Sequence, residues 1–341
     1  MLNNDVENLV SIVIPSREKD YLLNLCINKI RALYKNVKII VILDKIQNEK
    51  EDNIIFLKSV NRNMSAKRNL GVKNAKTEYV AFIDSDAYPQ ENWLENAIDF
   101  LDSHKDYTAV TGCQYNPPED SFEQICLRKV RFNRLFTHKE WCKVIDTNTK
   151  EQDCTEFMTS NVIIRKKDYD NLNGMDENIF LAEDNEFSER LTENGYKIRF
   201  IPNICVFHRE SKMYPFFRKI YCLGYYYANM FSKGKTLIKD VKKTISQFFP
   251  LLGIILFFSF VILFHFLGIN PVVLLIFPLL IIVLLLNEAL IEAKKLPCKK
   301  FLGFFMIFFY FCLFCVVWVT GTFLGMINFP SEKVQNFYNH Y

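Results

Sequence analysis

The sequence predicts an α/β domain of about two hundred residues followed by apolar helices of membrane-spanning length. Three observations carry this. Continuous apolar runs alternate with amphipathic segments over the first two hundred residues, as strands buried on both faces alternate with covering helices. Several of those runs end in an acid, at the edge where open α/β sheets bind their ligands. From Phe248 onward, charge is nearly absent from three long stretches.

The run LVSIVIPS (Leu9 to Ser16) predicts a strand stopped by Pro15. YLLNLCINKIRALY (Tyr21 to Tyr34) has helical periodicity, and VKIIVILD (Val37 to Asp44) is a second strand ending in an acid. NIIFLKS predicts a third strand and SAKRNLGVKNAK (Ser65 to Lys76) a helix. YVAFIDSD is again a strand ending in acid, followed by a helix over PQENWLENAIDFLDSH. Asp44, Asp84 and Asp86 then fall at one edge of a largely parallel sheet, around one crevice. Side chains two apart in extended chain share a face, so Asp84 and Asp86 suit a single hard divalent cation with room for phosphate oxygens. The alternative is that they cap the helix starting near Pro89, although two acids within three residues exceed what a cap needs.

Of the three apolar stretches, Phe248 to Ile269 is interrupted only by a histidine, Pro271 to Leu286 is short and contains Pro278, and Phe301 to Ile327 carries no charge. Each approaches or exceeds the ~20 residues that span a hydrocarbon core. Lysines gather before the first stretch (Lys233, Lys235, Lys239, Lys242, Lys243) and between the second and third (Lys294, Lys295, Lys299, Lys300). The positive-inside rule then predicts a multi-pass cell-membrane protein with a cytoplasmic N-terminal part and its C-terminus outside, and a re-entrant hairpin of the first two spans would leave that parity unchanged. The predicted boundaries are a catalytic domain at 1–210, an aromatic and basic segment at 211–247, spans at 248–269, 271–288 and 301–327, and a tail at 328–341. Met213 to Lys235 reads either as an interfacial helix against anionic lipid or as a helix packed with its aromatics inward. LRKVRFNRLF (Leu127 to Phe136) has a weaker pattern of the same kind.

The formal net charge of +4 sits largely beside the apolar stretches, which favours membrane lipids as partners over nucleic acid. The opening MLNNDVENLV is too polar for the core of a secretory signal. Ten scattered cysteines show neither zinc spacing nor a disulfide framework, so reduced thiols in a cytosolic domain are expected.

Four segments in order resemble the family 2 glycosyltransferases: VSIVIPSRE, VILD, the run from SAKRN to FIDSDAYPQENWLENAI, and the run from FMTSNVIIRKK to LAEDNEFSERLTENGYKIRFIPNICVFH. The resemblance covers about residues 9 to 210. It implies the GT-A fold, a Rossmann-like mixed sheet, with a nucleotide-sugar donor, a divalent cation (Mn2+ or Mg2+) and inverting transfer. Carried over position by position, it implies that Asp86 and His208 hold the metal, with Asp84 nearer the ribose. Pro15, Ser16 and Glu18 match the first nucleotide-binding loop, Asp44 the acid that reads the base, and Arg68 and Asn69 the pair before the family's glycine, here Gly71. Glu183 and Asp184 match the acidic pair whose aspartate is the general base.

The chemistry needs such residues. Breaking the bond to a nucleoside diphosphate builds charge on the leaving group, which a cation stabilises, and an inverting displacement needs a base on the opposite face of the sugar. EDNEFSERL also reads as a helix start, where acids are dipole partners as well. Two departures from the family stand out. LDKIQNEKE replaces the usual glycine and serine after the second-strand acid, leaving the base open, and no Q-x-x-R-W motif follows, which favours single-sugar transfer. The expected acceptor is a glycan, a polyprenyl-linked saccharide or another envelope glycan precursor. The rivals are transfer directly to polyprenyl phosphate and a non-catalytic membrane scaffold.

Overall fold

The computed structural model describes residues 3–45, 52–133, 135, 150–232, 276–327 and 329–339. Its elements run α1 (Asn3–Leu9), β1 (Val10–Pro15), α2 (Tyr21–Leu33), β2 (Lys38–Leu43), β3 (Ile54–Lys58), α3 (Met64–Asn74) and β4 (Tyr79–Phe82). There follow β5 (Ala87–Pro89), α4 (Trp93–Ser103), β6 (Tyr107–Thr111), β7 (Gln114–Tyr115), α5 (Phe122–Arg131), β8 (Gln152–Cys154) and β9 (Val162–Arg165). The chain continues with α6 (Lys166–Asn171), α7 (Glu183–Glu193), β10 (Lys197–Phe200), β11 (Val206–His208) and α8 (Met213–Ser232). Last come α9 (Ile276–Lys294), α10 (Lys300–Met326) and α11 (Ser331–Asn339). They form two compact units, Met1–Pro118 with Val144–Arg209, and Glu119–Lys143 with Glu210–Tyr341. The segment assigned from sequence to a 1–210 domain therefore gives 119–143 to the second unit.

In the first unit an eight-stranded sheet has the order β3-β2-β1-β4-β9-β6-β10-β8. β3, β2, β1 and β4 are mutually parallel, and β9 runs antiparallel to both β4 and β6. The sheet is thus mixed. Every residue of β1 is buried, because alternate side chains enter cores on opposite faces. Val10, Ile12 and Ile14 pack with Leu23 and Ile30 of α2 and Leu94 and Leu101 of α4. Val13 packs on the other side with Val72 of α3 and with Phe187 and Leu191 of α7. Gly71 lets α3 lie this close: a Cβ there would stand 2.4 Å from Val13 Cγ1.

A second sheet of three short strands, β5-β11-β7, follows from where β4 stops. β4 ends at Phe82, and the chain closes a β-turn in which Ala87 N–H donates to Asp84 O at 3.0 Å. It then re-enters as β5, antiparallel to β11, which is parallel to β7. α4 begins only at Trp93 with Asn92 as its N-cap residue. Asp84 and Asp86 therefore lie in a turn, neither in an extended strand nor at a helix cap as the sequence pattern allowed.

In the second unit α8 and α10 meet through small residues spaced four apart. A Cβ on Gly321 or Gly325 of α10 would stand 2.1 Å from Tyr221 O or 2.2 Å from Tyr225 O, and one on Gly224 of α8 would stand 2.8 Å from Trp318 O. This backbone-close packing is the kind that holds helices together where lipid removes the hydrophobic drive. Phe216, Phe217 and Ile220 of α8 join Phe311 and Phe314 of α10 and Leu127 and Val130 of α5 in one apolar cluster. Among the described residues one helix, Lys300–Met326, is long and apolar enough to cross a membrane, and 28 % of its most apolar stretch is buried. The expected span 248–269 and residues 271–275 of the next lie outside the described residues. α9 continues past the expected end at 288 and carries Glu288 and Glu292, whose carboxylates accept from Asn133 Nδ2 at 3.3 and 3.5 Å.

Candidate active site

The C-terminal ends of β1, β2 and β4 carry Ser16, Asp44 and Asp84 past the sheet edge. The first two loops are stitched together: Ser16 N–H donates to Ile42 O at 2.9 Å and Asp44 N–H to Arg17 O at 3.1 Å. Ser16 Oγ donates to the carbonyl of Glu18 at 3.0 Å, while Pro15 closes β1 in register with Ile42.

Helix α3 reaches into this edge with two consecutive basic residues. Its N-cap Asn63 accepts from Ser65 N–H at 2.7 Å, and the Asn63 amide donates to Glu177 O and Ile179 O at 3.0 and 2.8 Å. Lys67, wholly buried, donates to Ser16 O at 2.6 Å and lies 2.5 Å from Asp44 Oδ1. Burial holds its ammonium below the usual lysine value, while the carboxylate of Asp44 works in the opposite direction. Arg68, about one hundred degrees further round the helix, bridges two acids: Nη2 lies 3.0 Å from Asp84 Oδ1 and Nη1 2.6 Å from Glu183 Oε1. Burial opposes its charge, and the two carboxylates outweigh burial to hold the guanidinium above its ordinary value. Glu183 is shifted too, its carboxyl raised by burial and by neighbouring Asp184 in spite of Arg68.

Glu183 and Asp184 open α7, where three acids in the first turn face the positive end of the helix dipole. The preceding Ala182 sits at φ +64°, a left-handed conformation that costs a non-glycine residue about 1 kcal/mol and turns the chain sharply into the acidic pair. Asp184 Oδ1 accepts from Asn185 N–H at 2.9 Å.

On the other side of Asp84 stand Asp86 and His208, delivered by the small sheet. His208 ends β11 opposite Ala87, and its Nε2 lies 3.3 Å from Asp86 Oδ1. Asp84, Asp86 and His208 each offer a ligand atom, all within 4.8 Å of one another. Donors at about 2.1 Å from a shared ion are separated by no more than about 4.2 Å, so small side-chain adjustments bring this trio to a first-row divalent cation. Two carboxylates and one imidazole form a donor set suited to Mn2+.

Residues 11–172 match the model of glycosyl transferase family 2, and residues 141–216 match one described as the N-terminal domain of galactosyltransferase. Residues 11–172 thus form a glycosyl transferase family 2 domain. Its chain is similar to the glycosyltransferase GlyA of Streptococcus pneumoniae, 28 % identical over 101 residues that make up 26 % of this chain and 14 % of GlyA. It is also similar to the UDP-Glc:alpha-D-GlcNAc-diphosphoundecaprenol beta-1,3-glucosyltransferase WfaP of Escherichia coli, 29 % identical over 135 residues, 33 % of this chain and 54 % of WfaP. The matched stretch is thus less than two thirds of either relative. Among solved structures, the mannosyltransferase PcManGT from Pyrobaculum calidifontis, in complex with GDP-Man and Mn2+, superposes with a TM-score of 0.56 at 12 % identity, covering 94 % of this chain and 88 % of that one. That likeness concerns the GT-A-like fold.

The structure draws most of the sequence-derived residues into one line. It runs from Asp184 and Glu183 through Arg68 to Asp84, Asp86 and His208, with Ser16 and Asp44 joined to it by α3. Asn69 is not brought to this line. Its amide donates to Met175 O and Glu177 Oε1, and its carbonyl accepts from Tyr169 Oη and Met175 N–H, so it fastens α3 to the loop before α7. The side chain of Glu18 is exposed, and its backbone carbonyl makes the contact. Sequence reasoning missed Lys67 and Gln114. Lys67 was visible only as one more lysine in SAKRN, and nothing in TGCQYN reveals that the Gln114 side chain meets the ring of His208.

Proposed function

We infer that this protein is an inverting glycosyltransferase that moves a sugar from a nucleotide-sugar donor to an acceptor hydroxyl, that of a lipid-linked saccharide or another cell-envelope glycan precursor. The observation that carries the reading is the convergence of Asp84, Asp86 and His208, with Arg68 tying Asp84 to Glu183. Asp86, Asp84 and His208 would hold a divalent cation, which when bound neutralises charge on a diphosphate leaving group. Asp44, held by Lys67, presents its carboxylate at the first nucleotide loop to donor groups of the base. Arg68 fixes the Asp84 carboxylate and keeps positive charge where the diphosphate would lie. Asp184, in the first turn of α7, takes the acceptor hydroxyl proton as general base. WfaP, whose name specifies a diphosphoundecaprenol acceptor, and the long apolar helix α10 support a lipid-linked acceptor and membrane association. In this reading the catalytic domain is cytoplasmic and the C-terminus outside.

The test is transfer or donor hydrolysis by the purified full-length protein with Mn2+ or Mg2+ across a panel of nucleotide sugars. Asp86→Asn should abolish activity without unfolding, and an Asp86→Asn protein as active as wild type would overturn the metal assignment. Asp184→Asn separates hydroxyl from phosphate acceptors, because a phosphate is already a nucleophile and needs no base: near-complete loss supports the hydroxyl.

A further inference from the structure

The ring of His208 is gripped from behind. Nδ1 lies 3.1 Å from Gln114 Oε1, and the Gln114 amide Nε2 donates to Ser160 Oγ at 2.7 Å, with Met158 Sδ at 3.6 Å. All three polar residues are nearly inaccessible: His208 is 8 % exposed, Gln114 3 % and Ser160 3 %. The contact follows from register. Gln114 of β7 pairs with Val206 of β11, so His208, two residues on, projects from the same face as the residue opposite Gln114.

The chemistry of these partners orients the amide. A thioether sulfur accepts only, so the amide nitrogen belongs on the Met158 and Ser160 side and the amide oxygen toward His208. An oxygen facing Nδ1 requires that nitrogen to carry the proton. In the neutral ring Nε2 is then left with its lone pair, and Nε2 is the atom that faces Asp86 and the proposed cation.

We propose that Gln114, braced by Ser160, is a positioning residue that fixes His208 in its Nδ1–H tautomer and so readies Nε2 as a metal ligand. This rests on the metal-dependent reading above. A ligating imidazole generally donates its other N–H to a fixed acceptor, and loss of that acceptor costs about 10- to 100-fold in metal affinity. The carboxamide supplies an acceptor without adding a charge beside two carboxylates.

The experiment uses the full-length protein, with Mn2+ alone as probe, its binding followed by loss of the free-ion electron paramagnetic resonance signal. Gln114→Leu should weaken Mn2+ binding about 10- to 100-fold at an unchanged unfolding temperature. Gln114→Glu, which keeps an acceptor at the same place, should bind within a few-fold of wild type. In a His208→Ala background Gln114→Leu should have no further effect, since its action passes through the ring; an equal loss in both backgrounds reduces Gln114 to a packing role and overturns the proposal. The tautomer is read on the metal-free wild type from the 15N shifts of labelled histidine, with His208 assigned through His208→Gln. A neutral ring protonated at Nε2 would overturn the proposal even if Gln114→Leu failed to fold. Wild type that does not take up Mn2+ at millimolar concentration defeats the metal reading itself, whereas Mn2+ binding indifferent to Gln114 defeats only this inference.

Discussion

Lys67 and Asp44 make the sharpest thermodynamic test of the site. Lys67 is completely buried with its ammonium against Asp44 and the Ser16 carbonyl, while 16 % of the Asp44 side chain remains exposed. Removing one member of a buried ion pair costs about 3–5 kcal/mol, chiefly because the other charge is stranded. The two halves of this pair differ in what they strand. Lys67→Met leaves a carboxylate that still reaches water and has Arg62 at 3.8 Å, which places it at the lower end, about 3 kcal/mol. Asp44→Leu leaves an ammonium whose remaining hydrogen-bond partner among the described residues is the Ser16 carbonyl, and its loss is limited by deprotonation, which burial already favours. Replacing both together strands neither, so Lys67→Met/Asp44→Leu should recover most of the single-variant losses. For a unit of 150–250 residues, about 3 kcal/mol corresponds to roughly 6–12 °C in unfolding temperature. Calorimetry on the three variants gives the coupling, and calorimetric titration with nucleoside diphosphates gives binding. The double variant should be folded yet bind nucleotide poorly, because Asp44 is gone. A double variant that loses the sum of the single losses would refute the stranded-charge argument.

Three further outcomes follow from the geometry. Gly71→Ala drives a Cβ to 2.4 Å from Val13 Cγ1, with Ile42 Cδ1 at 3.0 Å, and should cost about 1–3 kcal/mol in denaturant unfolding. Ala182→Gly relieves the left-handed conformation ahead of Glu183, and gains up to about 1 kcal/mol set against the greater freedom of glycine in the unfolded chain, so circular dichroism melts should show a stability equal to or above wild type. Because the Glu183 carboxyl is raised above the ordinary glutamate value of 4.5, its contribution to stability is present below that pH and declines as pH rises through the folded-state value; Glu183→Gln should flatten this limb of the stability profile, measured as unfolding midpoint against pH.

Much of the fold was legible because buried parallel strands advertise themselves. VSIVIP and KIIVIL have apolar side chains on both faces, and Asp44 follows the second at the C-terminal edge of the sheet. The small sheet was not legible. Its strands are two or three residues long, too short for any periodicity, and they exist because the Asp84–Ala87 turn folds the chain back toward residues 114 and 206. Membership of α5 in the second unit was hidden for a related reason: its apolar face, Cys126, Leu127 and Val130, fits any core equally well in sequence. The contacts of Asn69 were not legible because motif position identifies a residue and says nothing of which way its helix turns it; a step from Arg68 rotates the side chain by about one hundred degrees, toward Met175 and Glu177.

The two corners of the site are supported by different parts of the structure. The base and diphosphate corner hangs on α3, whose Asn63, Lys67, Arg68 and Asn69 contact the loops after β1 and β2, the turn after β4 and the approach to α7. The metal corner hangs on the small sheet, which is clasped to the large one by Asn161. Its fully buried amide donates to Cys113 O and Ile204 O at 3.0 and 2.9 Å, one or two residues before β7 and β11, and its side-chain oxygen accepts from Trp93 Nε1 at 2.8 Å. The two anchors meet at Asp84, which Arg68 of α3 holds and which lies beside Asp86 and His208. Of LDKIQNEKE, Leu43, Asp44 and Lys45 are among the described residues, and the carboxylate of Asp44 is held by Lys67 of α3, whereas Asp86 and His208 meet across β5 and β11.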